Sequence, residues 1–199
     1  MLAFVLVLVM MMAYQVARSI ELEGEEKTDR GIEIRRQDQQ RVRQRIQAFK
    51  QSGYENITIR QDGSKQDITF GSDVTFESAS ADLSPQGRQL LTELAYTIVG
   101  RGKGGTVRSL AEIQVSGHTD TVSTDPDVFA SNWELSTARA TRVVKSLTQA
   151  GVDPQNVEMS ATGYGKFAPR ATNATPTGRA RNRRIEMRLV YTDTLSSRH

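Results

Sequence analysis

Two histidines and no cysteine limit the chemistry open to this chain of 199 residues. His199 is the C-terminal residue, so His118 is its one internal imidazole. A nucleophile needs a neighbouring base or a thiolate, and one internal His with no Cys leaves few ways to activate one. Disulfides, thiolate metal sites and a cysteine-linked lipid are excluded. No ligand spacing supports zinc, and no cofactor is expected. What remains is charge. Asp120 follows the apolar run Ile113-Gln114-Val115-Ser116-Gly117, and Arg139 lies in a helical stretch beyond it. Taken singly, each has an ordinary reading. A lone Asp after a strand caps a loop, and a lone Arg on a helix joins a weak surface ion pair. Asn132 can be a helix-start residue only. His118 reads as a hydrogen-bonded structural residue, and Trp133 as a core-side packing residue. The net charge of +3 comes from interspersed charges of both signs, as on an ordinary solvated surface.

The elements that must position these residues are legible as periodicities. Ile57-Thr58-Ile59-Arg60, Asp62-Gly63 and Ile68-Thr69-Phe70 read as a hairpin with a Gly turn, and Val74-Thr75-Phe76 continues the strand character. Ser84-Pro85 reads as an N-cap with Pro at the first helical position. Leu90, Leu91, Leu94, Ala95 and Ile98 then repeat with helical spacing up to Gly100. Gly100 to Gly105 is a loop without phosphate-loop spacing. After strand Ile113–Gly117, Ser131 and Glu134 fit a capping box for a helix with the stripe Ala140, Val143, Val144 and Leu147. Val157, Met159 and Ala161 alternate, as do Ile185, Met187, Leu189 and Tyr191. The order β-α-β-α-β predicts an α/β two-layer sandwich with a mixed sheet over residues 54–192. Residues 193–199 read as a disordered tail.

Ahead of that domain, Met1 to Tyr14 form an apolar run, extended by Val16 and Ala17. Residues 1–17 are read as a transmembrane helix at the short limit for a bilayer. A cleaved signal peptide is the alternative, but no basic n-region or clear cleavage site is present. A membrane helix should carry a cytoplasmic basic flank, so further chain is expected upstream of Met1. Residues 18–53 are read as a charged helical connector. Its stripe Val42, Ile46 and Phe49 is thin, which favours a solvated spacer over a paired coil.

Four ordered blocks carry a family resemblance. They are Phe76-Glu77-Ser78-Ala79-Ser80-Ala81-Asp82-Leu83, Ser116-Gly117-His118-Thr119-Asp120, Asn132-Trp133-Glu134-Leu135-Ser136-Thr137-Ala138-Arg139-Ala140 and Gly178-Arg179-Ala180-Arg181-Asn182-Arg183-Arg184-Ile185-Glu186. Gly163-Tyr164-Gly165, Pro169 and Asn173 fall between the last two. Together they resemble the OmpA-like peptidoglycan-binding domain shared by OmpA, the Pal lipoproteins and the flagellar stator protein MotB.

That resemblance implies a non-catalytic anchor rather than an enzyme. It implies that Asp120 accepts hydrogen bonds from the ammonium of diaminopimelate in the wall's stem peptide, and that Arg139 pairs with its carboxylate. Thr119, Asn132 and Leu135 would line the pocket, and Arg183 would support it. The chemistry is coherent, because a zwitterion needs one fixed anion and one fixed cation, and a guanidinium fork suits a carboxylate. On a helical wheel Asn132, Leu135 and Arg139 fall within about 60° of one another. The basic stretch Arg170, Arg179, Arg181, Arg183 and Arg184 is assigned to fold and pocket, so no nucleic acid is expected. The loop from Asp120 to Asn132 is longer than in short-loop members. The architecture implies a single-pass inner-membrane protein with a periplasmic domain, resembling the MotB stator subunit. A homodimer and a polytopic MotA-like membrane partner follow from the same likeness. The alternative is an envelope tether with no motor role, because relatives that conduct ions carry an Asp in or before the membrane helix and Met1 to Tyr14 contain no acid.

Overall fold

Alternation along Ile185, Met187, Leu189 and Tyr191 buries one face of the central strand and leaves Glu186 and Arg188 on the other. A computed structural model describes residues 2–54, 57–100 and 107–193, apart from the side chains of residues 2–5 and 74. The elements are α1 (Leu2–Gln51), β1 (Ile57–Asp62), β2 (Lys65–Gly71), α2 (Ser72–Thr75), α3 (Pro85–Val99), β3 (Leu110–His118), α4 (Asn132–Gln149), β4 (Glu158–Gly163), α5 (Pro176–Asn182) and β5 (Arg184–Tyr191). The sheet runs β1-β2-β5-β3-β4. Only β3 and β4 pair in parallel, joined by the α4 crossover; the other pairs are antiparallel. The mixed two-layer sandwich expected from the periodicities is therefore present.

Local chemistry starts and stops the helices where expected. Ser84 Oγ accepts from Gly87 N with Pro85 at the first turn, and Gly100 closes α3 in the left-handed region. Ser131 Oγ accepts from Glu134 N, while Glu134 Oε2 accepts from Ala130 N. The first bond satisfies one of the donors that a helix start leaves free, and the second ties the residue before the N-cap to the helix. Leu90, Leu94, Val143 and Leu147 join Ile113, Val115, Met187 and Leu189 in one core.

Two expectations need correction. First, Val74-Thr75-Phe76 does not continue the strand: Ser72 to Thr75 form a helical turn, because the chain must leave β2 to reach α3, and Phe76 then makes only an isolated bridge with Leu83. α1 is one uninterrupted helix of 50 residues that takes in both the apolar run and the charged connector. Among the described residues no helix is long and apolar enough to cross a membrane, since Arg18, Glu21 and Glu23 follow directly on the apolar run.

Second, the thin stripe of α1 is not solvated. Val42, Ile46 and Phe49 are buried in the domain core, each worth roughly 1.5–3 kcal/mol of transfer free energy. Polar residues key the helix in place. Buried Asp38 accepts from Ser109 N at 2.9 Å and Ser109 Oγ at 2.8 Å. Gln66 Nε2 donates to the Gln39 carbonyl at 2.8 Å. At Gly31 a Cβ would sit 1.9 Å from the Asp193 carbonyl oxygen, so a glycine is needed where the helix crosses the end of the sheet. Arg35 pairs with Asp193. The structural unit thus starts on α1, well before residue 54. Residues 194–199 of the expected tail, and 101–106 of the glycine-rich loop, lie outside the described residues.

Candidate functional site

Four segments converge beyond the end of β3. The strand delivers Thr119 and Asp120. The first turns of α4 deliver Asn132, Leu135 and Arg139. The α5–β5 junction delivers Arg183, and α2 with the segment after it delivers Ser72, Asp73 and Phe76. All six residues singled out from the sequence line one cleft of about 430 Å³. The packing that sets this geometry is close. A Cβ on Gly117 would lie 2.1 Å from the Ser136 carbonyl oxygen, so the glycine lets α4 lie directly on β3.

Asp120 is held rather than free. Its Oδ2 accepts from Arg183 Nη1 at 2.8 Å and its Oδ1 from Val122 N at 3.0 Å. The Asn132 side chain donates to the carbonyls of Asp120 and Val122. The Asp120–Asn132 loop is therefore tied back to the pocket it borders. Arg183 is gripped from its other side by Asp73, with Nε to Oδ1 at 3.2 Å and Nη2 to Oδ2 at 2.9 Å. Hydrogen bonds to Asp73, then to Asp120, raise the Arg183 pKa above its ordinary value.

Arg139 is in a different condition. It is 5 % exposed, its Nε donates to the Ser80 carbonyl at 2.8 Å, and its guanidinium lies 5.1 Å from the Phe76 ring centroid. Among the described residues no carboxylate lies within ion-pair distance of it, and its two terminal nitrogens make no hydrogen bond. Burial pushes its pKa down to about 10, against the pull of Asp73 and Asp120, so it stays charged at neutral pH. A buried unpaired cation is costly unless an anion arrives. The Ser72 hydroxyl, on a residue that also lines the cleft, is buried without a hydrogen-bond partner among the described residues.

Ser72 and Asp73 were missed because they lie between two strand-like runs, Ile68–Phe70 and Val74–Phe76, and carry no pattern of their own. Ala79, in the cleft wall, has a φ of 53°, unusual for a non-glycine residue. Two further expectations fail. His118 is buried and stacks on Tyr164 at 5.0 Å, but neither ring nitrogen has a hydrogen-bond partner among the described residues. Glu186, 3.5 Å from its Nε2, is engaged at closer range by Arg184 and Arg170. Trp133 does not enter the core; it is 52 % exposed, because Leu135, Ser136 and Arg139 occupy the inner face of that turn.

Residues 75–183, which include Asp120, Arg139 and Arg183, match the model of the OmpA family. The chain belongs to the OmpA family. Over 123 residues it is 36% identical to outer membrane protein A of Bordetella avium, covering 62% of this chain and 57% of that protein. It is 32% identical to motility protein B of Bacillus subtilis over 123 residues, covering 62% and 44%. The chain spans about half the length of these curated relatives. Among solved structures, a MotB-like protein from Desulfovibrio vulgaris superposes with a TM-score of 0.66 at 27% identity, over 81% of this chain and 99% of that one. The cell wall anchor of the T6SS from Pseudomonas aeruginosa gives 0.60 at 29% identity, over 74% and 96%. The chain therefore carries an OmpA-family domain whose fold is similar to that of the MotB-like protein.

Proposed function

We propose that the cleft holds the diaminopimelate end of a peptidoglycan stem peptide without cutting it, and so ties a membrane complex to the cell wall. The observation that carries this reading is Arg139, a buried guanidinium without an anion in the cleft that also holds Asp120. A ligand carboxylate would complete Arg139 as a planar charge-assisted pair. The ammonium would meet the remaining lone pairs of Asp120, with Thr119, Asn132 and Leu135 shaping the walls and Arg183 holding the carboxylate still.

The side chains from Leu6 to Ile20 are apolar and exposed over most of their length, which supports docking of the start of α1 in a bilayer. The reading is then a single-pass inner-membrane protein with this domain in the periplasm, of the MotB stator type. A second copy and a MotA-like polytopic partner would meet it through that apolar end, since Val42, Ile46 and Phe49 are buried in the domain itself.

The test is retention of the full chain, in detergent, on purified peptidoglycan sacculi. Arg139→Ala and Asp120→Ala should each weaken retention by a few kcal/mol, roughly a hundredfold. Equal retention of both variants and wild type would remove the assignment.

A further inference from the structure

The helices cover one face of the sheet, and the side chains that alternate with Ile113, Val115, Met187 and Leu189 stand on the other. On that open face Asp67, Arg184, Glu186 and Arg188 meet Arg170, from the segment after β4, around a cavity of about 440 Å³. The cavity shares no lining residue with the peptide cleft. Three guanidinium groups thus face two carboxylates. Arg188 takes Asp67 as a fork, with Nε to Oδ1 at 2.7 Å and Nη2 to Oδ2 at 3.1 Å. Arg184 and Arg170 must share the other carboxylate, and both reach the same oxygen, Glu186 Oε1. One positive charge is left over.

His118 lines the same cavity. It is 4 % exposed, and neither ring nitrogen has a hydrogen-bond partner among the described residues. A buried donor without an acceptor calls for an explanation. Its surroundings are positive. Burial, then Arg184, holds the His118 pKa down at about 4, with Arg170 adding to the lowering and Glu186 alone opposing it. Burial also lowers the pKa of Arg184, and Arg170 acts in the same direction.

We propose that this cavity is a binding site for one singly charged tetrahedral oxyanion, a phosphodiester group carried on a soluble chain. The charge matches the surplus of one guanidinium. The donors match the shape. Arg188 comes from β5, Arg170 from the segment after β4, and the Ser116 hydroxyl from β3, so they approach from different sides. Oxygens that point apart can meet all of them, whereas a planar carboxylate takes its donors in one plane. Arg188 Nη1 and Arg170 Nη2 make no hydrogen bond among the described residues, which leaves both available. An oxygen entering beside Glu186 would also give the His118 N–H an acceptor. Lys166 does not line the cavity; it lies 5.9 Å from the Phe167 ring centroid. Farther along the open face Asp62, Glu112 and Glu158 stand against Arg60 and Lys65. That acidic excess disfavours an anionic bilayer laid across the sheet and favours a single recessed group.

His118 and His199 are the only histidines, so ring signals from a histidine-labelled full chain, in detergent, report the cavity with an internal control. The probe is dimethyl phosphate, titrated at constant ionic strength against sodium chloride. The His118 signals should move and saturate in the millimolar range while those of His199 stay in place. Asp67→Asn raises the surplus to two charges and should tighten binding about fivefold. Arg170→Gln cancels the surplus and should weaken it at least about fivefold. The two changes together should return the affinity to near wild type. Arg139→Ala, in the peptide cleft, should leave it unaltered. A shift that does not saturate, or that chloride reproduces, overturns the site. So does Asp67→Asn binding no tighter than wild type, or loss of the response in Arg139→Ala. Acetate bound as tightly as dimethyl phosphate would overturn the tetrahedral assignment. A response to phosphatidylglycerol in the micelles, with none to dimethyl phosphate, would overturn the soluble chain in favour of a lipid.

Discussion

Arg183 Nη1 lies 2.8 Å from Asp120 Oδ2, and the same guanidinium is clamped on its far side by Asp73. The strand-end carboxylate is thus paired with a residue distant along the chain, while among the described residues Arg139 has no carboxylate at ion-pair distance.

Removing that clamp should be costly. Arg183→Ala leaves the Asp120 side chain, 6% exposed, without its cation. Breaking a buried pair costs more than a surface pair, but Arg183 is itself about one-third exposed, so the expected loss is about 2 kcal/mol in urea unfolding. Adding Asp120→Asn to Arg183→Ala should recover part of it. Strictly additive losses in the double-mutant cycle would show that the two groups are not coupled.

Gly117→Ala should disturb both stability and binding. The new methyl group meets the Ser136 backbone oxygen, so α4 must move off β3. Overpacking of this kind costs roughly 1–3 kcal/mol. Because Asp120 follows β3 and Arg139 rides on α4, stem-peptide affinity should fall as well. A variant with wild-type melting and wild-type affinity would contradict the account of how the cleft is spaced.

Asp38 should report whether α1 belongs to the domain. Asp38→Ala strands the Ser109 N–H and hydroxyl in a buried place, at a cost of about 2 kcal/mol. Hydrogen exchange should rise across residues 35–50 while β3 and β5 stay protected. Unaltered protection on α1 would mean that Val42, Ile46 and Phe49 hold the helix without this key.

His118 predicts a pH dependence. Burial, then Arg184, lowers its pKa from 6.5 to about 4 against the opposing pull of Glu186, with Arg170 adding to the lowering. Between those values the unfolded chain binds a proton that the folded chain does not. Stability is therefore full above about pH 6.5 and falls as pH drops towards 4, by up to about 3 kcal/mol. Asp67, lowered chiefly by its hydrogen bond to Arg188, acts only below 3.8 and so outside this window. His118→Gln should flatten the slope between pH 4.5 and 6.5. A wild-type protein whose urea midpoint does not move over that range would refute it.

The elements and the family were legible in the sequence because both are written in local patterns. Period-two alternation marks Ile185 to Tyr191, capping chemistry marks Ser84 and Ser131, and the ordered blocks around Asp120, Arg139 and Arg183 are contiguous words. Long-range partners were not legible. Three apolar residues on α1 look too few to bury, until Asp38 finds Ser109 and Gln39 finds Gln66. Val74 and Thr75 look like strand until the chain must turn towards α3, which brings Ser72 and Asp73 to the cleft. Trp133 looks like core until Leu135 and Arg139 take the inner face. Local spacing dictates which residues share a face, whereas the neighbour that each face meets depends on segments distant along the chain. Only the tertiary structure decided that Asp120 would be paired and Arg139 left without an anion.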